Sequence, residues 1–287
     1  MKKKLLILMY VVLLASSAAA AQKAIKLSGG LSSFIGGDYN RATQGFFDHL
    51  RDVYGSAQGE FGRIGSGLDI SGEFIMPIRP SLSLGIGLGL NRAETTESQA
   101  VFINPADPSQ RNSNTPWGAV QAVPLTANIH WTLPILSSLS LNVFGGPGFY
   151  FAKFQYKEEY DVAGSENVVG GIEYSGSQIV LGIQGGIALE ATIWKTVSLV
   201  AEIVGRAGSM SGFRGDWSYH DTFADGTAYS ESLANYAVWI GSLAGPTAQH
   251  NIFVFDPRQP GSPFTGVSEA HISLTAITAR VGLKIGL

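Results

Sequence analysis

Six charged residues, Glu73, Glu190, Glu202, Arg206, Arg280 and Lys284, stand at positions that interrupt otherwise apolar or small-residue runs. Three are acids and three are bases, so a fold that gathered them would hold a neutral set of ion pairs. Two kinds of chemistry suit such a set. A fully paired network seals the space it occupies, because an unpaired charge held away from water is costly. A network whose partners can exchange would act as a gate for a small solute. Other reactive residue types are weaker candidates. His220, Asp221, Asp225, His250 and Asp256 share one long polar stretch, but their spacing fits no metal-ligand motif. His130 with Ser137 or Ser138 invites hydrolytic chemistry, yet no third partner stands at a fixed spacing from them. There is no cysteine, which excludes thiolate sites and disulfides. The chain is therefore expected to be no enzyme and to carry no cofactor and no metal.

The elements that must position the six charges are strands. Along the last stretch Ile277, Val281, Leu283, Ile285 and Leu287 recur at every second or fourth position, while Arg280 and Lys284 take the opposite phase. This is the period of a strand with one apolar and one polar face. The same pattern returns about eight times. Ile25, Leu27, Leu31 and Ile35 alternate with Lys26, Ser28 and Ser32, and Ile64, Leu68, Ile70, Phe74 and Met76 alternate with Asp69, Ser71 and Glu73. Leu82, Leu84, Ile86, Leu88 and Leu90 alternate with serine and glycine alone, which predicts a nearly bare inner wall. Further runs place Leu125, Ile129 and Trp131 against His130, Ile187 and Leu189 against Glu190, and Leu199 and Ile203 against Glu202 and Arg206. No charge falls on the apolar faces, where Arg or Lys at mid-membrane depth would cost about 2–4 kcal/mol.

Long and short connections alternate between the runs, which brings both ends to one side. The prediction is an all-β fold, a transmembrane antiparallel up-and-down β-barrel of eight strands with long extracellular loops, lipid outside and a polar lumen inside. A short amphipathic helix is expected over 44–54 from the spacing of Phe46, Phe47, Leu50 and Tyr54. Loops are expected over 104–116 and 157–177 by composition, and a bulge at 145–148 around Pro147. Regular alternation lapses over 208–267, where Leu233, Tyr236, Ala237 and Ile240 could share a helical face. A hairpin around 251–255 would raise the strand number to ten.

The chain opens with Lys2, Lys3 and Lys4, an apolar run over 5–14 and small residues to Ala21. That order predicts a signal peptide over 1–21, cleaved near Ala21, and a barrel domain over 22–287. The apolar run is too short to cross about 30 Å of hydrocarbon as a helix. The formal charge of −3 becomes more negative once the leader's lysines leave, which argues against nucleic acid as a partner.

On this pattern and on its closing segment, Ala279-Arg-Val-Gly-Leu-Lys-Ile-Gly-Leu287, the chain resembles the eight-stranded outer-membrane barrels of Gram-negative-type bacteria: the OmpA-like transmembrane domain, the OmpX-type barrel and the OmpW family. The resemblance implies residence in the bacterial outer membrane, contact with its lipid, and recognition of the last strand by the barrel-insertion machinery. The OmpW likeness implies lateral release of apolar solutes through an opening near 145–148. The function expected is porin-like passage of a small solute with a role in the cell envelope. The alternative is a non-conducting structural or adhesive barrel whose extracellular loops bind a ligand or partner.

Overall fold

A computed structural model describes residues 22–96, 98–164, 167–254 and 263–287; the expected signal peptide over 1–21 and Asp256 lie outside the described residues. The chain order is β1 (Ala24–Phe34), α1 (Asp38–Tyr54), β2 (Ala57–Glu60), β3 (Ile64–Arg79), β4 (Leu82–Thr95), β5 (Gln99–Asn104) and β6 (Asp107–Leu136). There follow β7 (Leu139–Ala163), β8 (Val168–Trp194), β9 (Val197–Ala207), β10 (Ser209–Ser211), β11 (Arg214–Phe223) and β12 (Ala228–Ala237). The last are β13 (Trp239–Ala244), β14 (Gln249–Val254), β15 (Phe264–Glu269), β16 (His271–Ser273) and β17 (Ala276–Gly286).

Eight strands pair antiparallel in a ring: β1, β3, β4, β6, β7, β8, β9 and β17, which pairs with β1 again. The alternating pattern sets the facing of each. Leu31 is 70 % exposed and Val281 67 %, while their chain neighbours Ser32 and Arg280 are buried. The outer surface carries an apolar band, and at its depth the charged residues Lys26, Asp69, Glu73, Glu202, Arg206 and Arg280 turn inward. The segment at 251–254 belongs to β14, which pairs with β13 in a separate three-stranded sheet with β15 and adds nothing to the ring.

Several expectations are corrected. Most of the stretches 104–116 and 157–177 is strand and not loop, because β6 from Asp107, β7 to Ala163 and β8 from Val168 run on past the ring as paired strands, Lys157 opposite Glu173 and Arg111 opposite Ala163. Their composition misleads because both faces there are polar or mixed, and the signal of one apolar face is lost. Pro116 is accommodated where β6 passes from β4 to β5, since no residue of either pairs with it. The expected bulge at 145–148 is absent. Gly145 pairs with Ile129 and Gly148 with Thr126 in one register, so Asn142, Phe144, Tyr150 and Phe154 all stay on the inner face. The irregularity falls instead in β3, between Ile64 and Gly67, and it turns Ile64 from the expected outer face to full burial. Leu233, Tyr236, Ala237 and Ile240 lie on β12 and β13, not on a helix.

The helix α1 begins six residues before the expected start. Asp38 supplies an acid to its first turn, and Gly55, with φ of 86°, closes it by donating its N–H to the Arg51 carbonyl at 2.8 Å. Its buried face carries Tyr39, Ala42, Thr43 and Leu50. Gly45 lets the helix touch β14: a Cβ there would stand 1.9 Å from the Asn251 carbonyl oxygen.

Candidate functional site

The ring interior is built around one ladder row. Register places Glu202, Arg280, Gly30, Asp69 and Asn91 side by side on β9, β17, β1, β3 and β4. Gly30 has no side chain to obstruct the row, so Arg280 reaches across β1 and its Nε stands 2.8 Å from Asp69 Oδ1. The other edge of the guanidinium faces Glu202, Nη1 to Oε1 at 3.4 Å. Asp69 also holds Arg206 in an ion pair and accepts from Asn91 Nδ2 at 2.6 Å. Arg206 donates further to Ser32 and Thr278.

A second charged row lies beyond the inward pair Ser28 and Ser71. Lys26 on β1 meets Glu73 of β3 at 2.8 Å and Glu202 at 3.0 Å, and its ammonium lies 4.8 Å from the Phe144 ring centre. Glu73 Oε1 also accepts from Asn128 at 2.7 Å and contacts His130 Nε2 at 2.8 Å. The other ring nitrogen of His130 contacts Asn142 at 3.1 Å. Lys284 lies opposite Lys26 in the ladder but turns to Glu190, at 2.7 Å, near the short-turn end.

The structure therefore brings Glu202, Arg206 and Arg280 into one network with Glu73, and sets Glu190 with Lys284 apart as a separate pair. Lys26, Asp69 and His130 complete the network. The inward phase of their strands is the signal that marks them, since each alternates with exposed leucine or isoleucine. Lys26, Arg206 and Arg280 balance Asp69, Glu73 and Glu202, and all six are less than 10 % exposed. A buried pair of this kind contributes little net stability, but removing one partner leaves an uncompensated charge.

The space beside the bare wall of β4 is filled at Gly85. A Cβ at Gly85 would fall 2.2 Å from Glu73 Oε1 and 2.6 Å from His130 Nε2, so these side chains already occupy the space the glycine vacates. A cavity of about 20 Å³ beside Glu73, Gly87 and Thr126 has room for roughly one water. Toward the long-connection end the interior is plugged by a second layer, in which Tyr39, Met210, Phe213, Val238, Ile272 and Leu274 pack with Tyr150 and Phe154. Toward the short turns a vestibule of about 390 Å³ opens, lined by Ser137, Ser138, Glu190 and Lys284 among others.

The remaining candidates are scattered. His250 contacts Asp52 of α1 at 2.9 Å, Asp221 accepts from Tyr160 and Tyr219, and Asp225 accepts the Thr227 N–H at 2.8 Å. Among the described residues no group of three or more His, Cys, Asp or Glu could hold a metal ion. On the outer face of β17, Ile277, Val281, Leu283, Ile285 and the adjoining Leu287 are all exposed.

No protein-family model matches the chain, and no curated protein matches it. Among solved structures it is similar to a major outer membrane protein from Thermus thermophilus, with 14 % identity, 93 % of this chain and 100 % of that chain covered, and a TM-score of 0.37. It is also similar to CarO of Acinetobacter baumannii, with 11 % identity, 80 % of this chain and 96 % of that chain covered, and a TM-score of 0.28.

Proposed function

We propose that this chain is a bacterial outer-membrane β-barrel with a sealed interior, whose strand extensions and long connections beyond the membrane carry its function. One observation carries the reading. Every ring strand turns leucine, isoleucine, valine or phenylalanine outward across its middle while the charges at that depth turn in, an apolar band far larger than water-soluble monomers expose. The band ends at a polar row, Arg92, Gln121 and Lys153, adjacent in the ladder on β4, β6 and β7. From Leu139 to Phe151 below that row, β7 has more than the roughly 9–11 residues a tilted strand needs to cross a bilayer. The strand β17, which joins both ends of the ring, is the segment offered to the barrel-insertion machinery, as the resemblance to outer-membrane barrels implies. The charged network and the apolar plug favour sealing over the porin-like alternative, since passage would require both layers to move.

The test is planar-bilayer recording on the refolded protein. A sealed barrel gives no discrete conductance steps, and Glu202→Gln, which leaves Lys26 and Arg280 short of a carboxylate, remains silent because the apolar plug is intact. Stable steps from the unaltered protein would overturn sealing in favour of passage.

A further inference from the structure

Beyond the polar row, on the inner face of the projecting strands, lies a cavity of about 340 Å³ walled by α1, β6, β7 and β8 and covered by β14. That volume is at the small end of ligand pockets. One side is apolar, formed by Phe46, Leu50, Ile252 and Phe253. The other carries Asn114 and the carboxyl of Glu158. Glu158 is 5 % exposed, and its hydrogen-bond partner is the phenol of Tyr156 at 2.5 Å. Each acid of the ring interior, by contrast, has a cation within 3.5 Å. Among the described residues no cation forms an ion pair with Glu158. A buried carboxylate beside an apolar wall, with a cavity where its counter-charge would sit, is the complement of a positively charged head on a hydrocarbon body. The aromatic rings add favourable faces for such a head.

We propose that this cavity binds a small apolar ammonium ion, with its nitrogen on Glu158 and its hydrocarbon part against Phe46, Leu50, Ile252 and Phe253. The proposal deepens the reading that the external extensions carry the function. Its failure would leave the sealed barrel standing, because sealing is measured by conductance and this by binding.

The Glu158 carboxyl is pushed up to about 7 by burial, so its proton must leave before the cation can pair. The other titratable groups facing it are Tyr39 from α1 and Tyr156 and Tyr160 from its own strand. Burial pushes all three phenols well above their usual range, which keeps them neutral near pH 7. From β6, β8 and β14 the cavity receives Asn112, Asn114, Ile172, Ile252 and Phe253, none of which titrates.

The experiment is calorimetric titration of the refolded full-length protein, in a non-ionic maltoside detergent, with benzylamine hydrochloride and with neutral benzyl alcohol. A charge-assisted hydrogen bond exceeds a neutral one by about 1.4 kcal/mol, so benzylammonium should bind roughly tenfold more tightly than the alcohol at about pH 8. The preference should shrink as the pH falls to about 6, where Glu158 is protonated and the amine remains charged. Glu158→Gln should abolish the preference, whereas Leu50→Ala should weaken both ligands and retain it. Equal affinity for the two compounds, no binding of either, or a preference that survives Glu158→Gln would overturn the proposal. The pH series on the unaltered protein decides the matter should the Gln variant fail to refold.

Discussion

Asp69 is fully buried and joins two guanidiniums, Arg206 and Arg280, that stand on different strands. Replacing it by asparagine keeps the size and removes the charge, leaving Arg280 with Glu202 and leaving Arg206 without an ion-pair partner among the described residues. Breaking a buried pair in this way costs about 3–5 kcal/mol. We therefore expect Asp69→Asn to lower the denaturant stability of the refolded protein by that order. An unchanged midpoint would show that the network is hydrated and weakly coupled. The alternation in the sequence is enough to say that Asp69 points inward. It does not say that Arg280 finds Asp69 across the bare Gly30, because that contact depends on the stagger between β17, β1 and β3. Neither can it separate Lys284 from the network, since the partner it meets, Glu190, is on a strand that is not its ladder neighbour.

The elements divide by how much of their environment is uniform. Ring strands lie between an apolar outside and a polar inside, so each states its facing in a period of two, and most of the facing assignments hold. The projecting parts of β6, β7 and β8 have no such contrast and resemble loops in composition, although ten successive positions of β6, Arg111 to Val120, pair with β7 there. The helix α1 is legible from Phe46 onward, but its first turn is fixed by Tyr39, which packs edge-on against Phe154 and Tyr156 of a distant strand. The seat of α1 on β14 depends on Gly45. Gly45→Val should dislodge the helix from that strand and expose both to limited proteolysis while the ring, which does not depend on that contact, keeps its circular dichroism. Protease resistance equal to that of the unaltered protein would show that the helix is held by Tyr39 and the Phe46–Phe61 cluster without it.

At the scale of the molecule the two faces of β17 should behave differently. Val281 is 67 % exposed in the apolar band, and an aspartate there would have to be carried into lipid, so Val281→Asp should abolish assembly into membranes. Lys284→Gln removes one cation from a pair that borders the vestibule and should assemble normally, as judged by protease protection in reconstituted vesicles. Equal tolerance of the two changes would refute the facing on which the membrane reading depends. The sequence by itself determined the strand class, the facing of most ring strands and the inward turn of the charges, because alternation is a local property written along each strand. Tertiary structure alone decided which charges pair, that the glycine wall is filled by Glu73 and His130, and that an apolar plug caps the interior. It also decided that Glu158 stands at a cavity with no ion-pair partner among the described residues. These depend on register and on contacts between residues far apart in the chain, which no local period encodes.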